Sequence, residues 1–83
     1  MLRIAVCDDD LQELSRIANI FDMYRVTNNT VLTYKLFQSG IDLLESIRTG
    51  EYDILFLDVF MPGINGIQAA REIRGFDKEI KII

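Results

Sequence analysis

Apolar positions along the chain fall into runs of two kinds, and their spacing separates strands from helices. Leu2 to Cys7, "LRIAVC", is short and apolar with one early charge, which predicts a buried strand. A helical rhythm follows, with Leu11, Leu14, Ile17 or Ala18, Phe21 and Tyr24 on one face behind Asp10 and Glu13, which have capping-box spacing. Arg25 to Asn29 is a polar break. In Val31 to Phe37, "VLTYKLF", the polar Thr33 and Lys35 alternate with apolar neighbours, as on an edge strand with a partly wet face.

Ser39 and Asp42 then predict an N-cap, Ile41, Leu44 and Ile47 an apolar stripe, and Gly50 a helix stop. Ile54 to Leu57, "ILFL", shows no alternation, as expected of a central parallel strand covered on both faces. Asn65 and Gln68 cap a third helix that carries Ile67, Ala70 and Ile73 and closes at Gly75, and Ile80 to Ile83 starts a fourth strand. Strands alternating with helices predict an α/β domain with a parallel sheet, because each parallel return needs a crossover. No repeat, low-complexity tract or boundary divides residues 1–83, so one domain is expected.

Composition narrows the chemistry. The net charge is −4 with Lys and Arg scattered, which argues against this segment gripping nucleic acid or an anionic membrane surface. No stretch is apolar enough to span a bilayer, and "MLRIAVCDDD" has the wrong pattern for a signal peptide, so a cytoplasmic location is expected. The single Cys7 cannot form an internal disulfide and reads as a small buried hydrophobe. With no histidine in the chain, carboxylates must carry any acid-base, metal or nucleophilic role.

In open α/β sheets, ligands bind beyond the carboxyl ends of the strands. Asp8 and Asp9 follow the first strand and Asp58 follows the third. If those strands are neighbours, three carboxylates converge. Asp10 is explained as an N-cap, whereas Asp8 and Asp9 come too early for that role and Asp58 lies well before the helix that starts near Asn65. Clustered carboxylates raise one another's pKa values or require a cation. Magnesium suits one or two carboxylates plus waters and phosphate oxygens, whereas calcium would want more protein oxygens. A carboxylate beside such an ion can act as nucleophile toward a phosphoryl group. Pro62 and Gly63 fit the two central positions of a type II turn next to Asp58.

These residues resemble a bacterial two-component response-regulator receiver domain. "AVCDDD" is similar to the family's paired acids after the first strand, and "LFLDVFMPGINGIQAAREIR" to its phosphoacceptor segment with the Met-Pro-Gly turn and following helix. The resemblance covers the whole chain and implies a flavodoxin-like, three-layer α/β fold with strand order 2-1-3-4-5. It implies that Asp58 is the phosphoacceptor, that Asp8 and Asp9 bind Mg2+ with Asp58, and that the Phe60 backbone carbonyl completes the metal site. It further implies a histidine kinase as partner, and an acceptor rather than an enzyme, with at most self-phosphorylation from small phosphodonors and self-dephosphorylation. An aromatic residue at position 60 is unusual for the family and bears on access of water to the phosphoryl group.

"RIAVCDDD" with "EYDILFLDVFMPGINGIQAAREIR" is also similar to receivers attached to LytTR-type DNA-binding domains, which implies transcription control through an output domain beyond residue 83. The family's Ser or Thr after the fourth strand and Lys after the fifth have no counterparts, since Lys78 and Lys81 fall before and within the fourth strand. The expectation is therefore the N-terminal part of a receiver, lacking the last helix, strand and helix. Its apolar fourth-strand edge would invite a homodimer or strand exchange.

Two rival readings follow from the same residues. Haloacid-dehalogenase-type phosphatases also use an Asp after a strand with magnesium, but they need a second acid two residues on, where Phe60 stands. A pseudo-receiver or interaction module would keep the fold and never take a phosphoryl group.

Overall fold

The computed structural model describes residues 1–83. Its elements are β1 (Leu2–Cys7), α1 (Leu11–Thr27), β2 (Leu32–Phe37), α2 (Gly40–Ser46), β3 (Ile54–Leu57), α3 (Gly66–Phe76) and β4 (Lys81–Ile82). The strands pair in parallel in the order β2-β1-β3-β4. The predicted alternation of strands and helices is borne out, as is the 2-1-3-4 part of the order implied by the resemblance. β2 lies at an edge, with Thr33 and Lys35 exposed, as its alternation predicted.

Helices lie on both faces of the sheet, which explains the apolar stretch Ile4 to Cys7 of β1, all of it buried. β3 is less covered than its lack of alternation predicted, with Leu55 buried but Ile54, Phe56 and Leu57 only part-buried. Ala5, Cys7 and Leu55 join the larger core with Leu43 of α2 and Ile73 of α3, while Ile4 and Val6 pack with Leu14 of α1. Successive strand residues point to opposite faces, so a strand with helices on both sides has no wet position to fill. On the α1 side Phe21 stacks obliquely on Tyr34 and Phe56, with ring centroids 5.6 and 5.8 Å away. Leu43, Leu55 and Ile73 are fully buried, and cutting any of them to Ala costs about 2–5 kcal/mol through lost burial and the cavity left behind.

The helix starts agree with the sequence reading better than the helix ends. Asp10, Ser39 and Asn65 are the three N-caps, and Asn65 forms a full capping box with Gln68. The expected box at α1 is incomplete: Asp10 accepts from Gln12 and Glu13, but the Glu13 side chain pairs with Arg16. α1 runs through the expected break to Thr27, because Arg25 pairs with Asp22 one turn back and donates to the Leu32 carbonyl. Gly50 does not end α2, which stops at Ser46 where Ile47 turns extended and enters the core. Gly75 lies inside α3, which ends at Phe76. The buried faces are also offset: Leu43 and Ala69 are buried, whereas Ile41 and Ile67 are half-exposed. No helix is long and apolar enough to cross a membrane.

Candidate functional site

Strand register brings the acids together. Cys7 of β1 pairs with Leu57 of β3, so Asp8 and Asp58 leave the sheet side by side. The ladder extends past both strands: the Asp58 N–H donates to the Cys7 carbonyl at 3.0 Å and the Asp8 N–H to the Phe37 carbonyl at 3.1 Å. Carboxylate oxygens of Asp8, Asp9 and Asp58 lie within 4.8 Å of one another. The convergence expected from the sequence is present, at the carboxyl ends of the strands.

The site is electrostatically uncompensated. None of the chain's three ion pairs involves these acids. Burial raises the Asp8 pKa above the ordinary carboxylate range, the Asp10 N–H at 2.9 Å opposes that, and the charges of Asp58, Asp9 and Asp10 add to the rise. Three hard oxygen donors without a cationic side chain fit a small divalent ion, which supplies the missing positive charge. Asp8 and Asp58 are half-buried and Asp9 is exposed, so solvent and a ligand reach them from one side.

The loop after β3 shapes the rest. Asp58 Oδ1 accepts the Phe60 N–H at 3.3 Å, which orients that oxygen and leaves Oδ2 for a ligand. The Phe60 side chain is 87% exposed and packs on little of the protein, so position 60 contributes to the site through its backbone. Gly63 has φ +76°, the positive value that the expected turn after Pro62 demands. Met61 points inward, buried, with its sulfur 3.6 Å from Cys7 Sγ. Cys7 is the small buried residue expected: burial first, then the nearby charges of Asp8, Asp42, Asp58 and Asp9, push its thiol up to about 12. It stays protonated, and its S–H reaches the Ser39 carbonyl at 3.3 Å.

Two residues beside the site escaped the sequence reading. Gly40 and Gly66 each open a helix directly behind an N-cap, as Ser39-Gly40 and Asn65-Gly66. That repetition was the available signal, since glycine is a poor helix former and its use at the first helical position calls for a reason.

Comparison with known proteins agrees with this geometry. A model of the family described as response regulator receiver domain matches residues 4–83. Response regulator MprA of Mycobacterium tuberculosis is 32% identical over 84 residues, covering 99% of this chain and 33% of the relative. The chain thus spans about a third of the length of the curated relatives it matches. Among solved structures, a response regulator receiver domain protein from Clostridium thermocellum superposes with a TM-score of 0.79 at 19% identity, covering 99% of this chain and 62% of that one. The response regulator TrrA in its complex with histidine kinase ThkA gives 0.68 at 32% identity, over 99% and 66%. TrrA from Thermotoga maritima with Mg2+-BeF gives 0.65 at 31% identity, over the same shares. The chain belongs to the response regulator receiver domain family and is a receiver domain of a two-component response regulator.

Proposed function

We propose that the chain takes a phosphoryl group on Asp58, from the phosphohistidine of a histidine kinase or from a small acyl phosphate. The observation that carries this reading is the meeting of three carboxylates within 4.8 Å at the ends of paired strands, with no cationic side chain among them. Solved relatives support it, since TrrA is seen both with a histidine kinase and with Mg2+-BeF. Asp9, Asp58 and the Phe60 backbone carbonyl would hold Mg2+, with Asp8 acting mainly through water. The ion would neutralise charge as it develops on the phosphoryl oxygens.

This chain's own residues do the rest. The Phe60 N–H holds Asp58 Oδ1, and the free oxygen attacks phosphorus. The bond from phosphorus to the donor breaks, and the donor leaves as a neutral imidazole once protonated, or as a carboxylate. The product is an aspartyl phosphate, which adds roughly two negative charges and new acceptor oxygens at the end of β3. In this role the chain is an acceptor and not an enzyme, beyond self-phosphorylation from small donors and self-dephosphorylation. We further propose a cytoplasmic setting, and transcription control through an output domain outside residues 1–83.

The test is incubation with acetyl phosphate and magnesium, read by intact-protein mass. The wild-type chain should gain one phosphoryl group and Asp58→Asn none. Equal labelling of the two would overturn Asp58 as acceptor. In the complete regulator, unchanged output with Asp58→Asn would favour the unphosphorylated interaction module instead.

A further inference from the structure

We propose that Gly66 is a positioning residue for Asp58, with Gly40 supporting it from the far end of the same loop. The inference deepens the function proposed above and rests on it. A methyl group built on Gly66 would sit 2.3 Å from the Asp58 carbonyl oxygen, 2.9 Å from the Asp58 carbonyl carbon and 2.9 Å from Val59 Cα. All three are backbone atoms, so no flexible side chain can swing aside. The Gly66 N–H also donates to the Val59 carbonyl at 3.0 Å. The first residue of α3 therefore presses directly on the peptide that carries the acceptor.

The other end of the loop is gripped in the same way. A methyl group on Gly40 would lie 2.7 Å from the Ile64 carbonyl oxygen and 3.1 Å from Ile64 Cβ. Between these two points Met61 is buried against Cys7, whose S–H reaches the carbonyl of Ser39, the N-cap of α2. The loop is thus wedged between the starts of two helices, each of which opens with a glycine. Asp58 has its N–H fixed on Cys7 and its carbonyl side fixed by the contact with Gly66. Filling the Gly66 contact forces the start of α3 and the Asp58 peptide apart, and a shift of that peptide disturbs the placement of the carboxylate beside Asp8 and Asp9. Gly66 touches no reacting atom; it acts through Asp58.

The experiment compares magnesium titrations of the full chain, followed by backbone amide NMR, for wild type, Gly66→Ala, Gly40→Ala and Gly75→Ala. A methyl group on Gly75 meets nothing within 4 Å, so that variant controls for glycine replacement itself. The expected result is magnesium binding weakened roughly 10- to 100-fold in Gly66→Ala, the range seen when a group that orients a metal ligand is disturbed. Gly40→Ala should be weakened less, and Gly75→Ala not at all. Phosphoryl uptake from acetyl phosphate should slow in the same order, while dispersed amide spectra show that the fold persists.

A folded Gly66→Ala with wild-type magnesium affinity and uptake would overturn the inference. If Gly66→Ala does not fold, Gly40→Ala decides: weaker binding in a folded chain supports the wedge, and unchanged binding overturns it. A wild-type chain that ignores both magnesium and acetyl phosphate would instead overturn the proposed function, and the positioning role with it.

Discussion

The two ends of the sheet use aspartate in opposite ways. Where β1 and β3 end, Asp8, Asp9 and Asp58 crowd together, and burial with like charges raises the Asp8 pKa. Where the strands begin, Asp53 and Asp77 sit among donors. Asp53 accepts the Arg3 N–H at 2.8 Å and its guanidinium at 3.0 Å. Asp77, buried, accepts the N–H groups of Gly50, Glu79 and Ile80 at 3.2, 3.0 and 3.1 Å. Hydrogen bonds hold both below the usual carboxylate range: for Asp53 those from Arg3, for Asp77 first that from Gly50. One end ties loops to strands and stabilises the fold; the other gives up stability to leave charge available for a ligand.

The largest expected break in this contrast is Asp77→Ala. It strips the acceptor from three backbone N–H groups and unties the turn before β3 from the end of α3, to which Thr49 also donates at 2.7 Å. The urea midpoint should fall further than for any substitution among Asp8, Asp9 and Asp58. An unchanged midpoint would show that water serves those donors equally well.

Magnesium sharpens the comparison from the other side. At 100-fold excess over its dissociation constant it should stabilise the wild-type chain by about 2.7 kcal/mol. Asp8→Asn should be more stable than wild type without metal and gain less from it, measured by thermal melts with and without magnesium. A metal-free Asp8→Asn that melts below wild type would refute the claim of uncompensated charge.

Acid titration separates the two ends by sign. The depressed pKa values of Asp53 and Asp77 give stability that is present above the unfolded value of about 3.9 and lost as pH falls through the folded values. Asp8 behaves oppositely: its contribution is present below about 3.9 and lost as pH rises through its raised folded value. Denaturation of the metal-free chain across pH 2–7 should therefore show Asp77→Ala flattening the acid limb, and Asp8→Asn lifting the neutral side. The smallest effect belongs to Asp53→Asn, because the Arg3–Asp53 pair is part-exposed and such pairs contribute little. Its loss should be detectable mainly at low salt.

Much of the fold was legible because its signals are local. Apolar runs marked the four strands, and Asp10, Ser39 and Asn65 declared the helix starts, since a cap acts on N–H groups two or three residues ahead. Helix ends were harder. Gly50 looks like a C-cap yet serves a turn with φ +76°, and Gly75 looks like a stop yet lies within α3, because glycine has the same identity in all of these settings. The choice of Leu43 and Ala69 for the core depended on the angle at which each helix meets the sheet, which no spacing along the helix encodes.

The same division runs through the site. By itself the sequence determined which residues could carry charge and chemistry: Asp8, Asp9 and Asp58 at strand ends, a turn at Pro62-Gly63, and no histidine to compete. The tertiary structure decided that they meet, through the pairing of Cys7 with Leu57, and how Asp58 is held, through Gly66 against its carbonyl and the Phe60 N–H on its carboxylate. Proximity between groups so far apart in the chain is a property of strand register and helix packing, and those are settled only when both faces of the sheet are buried at once.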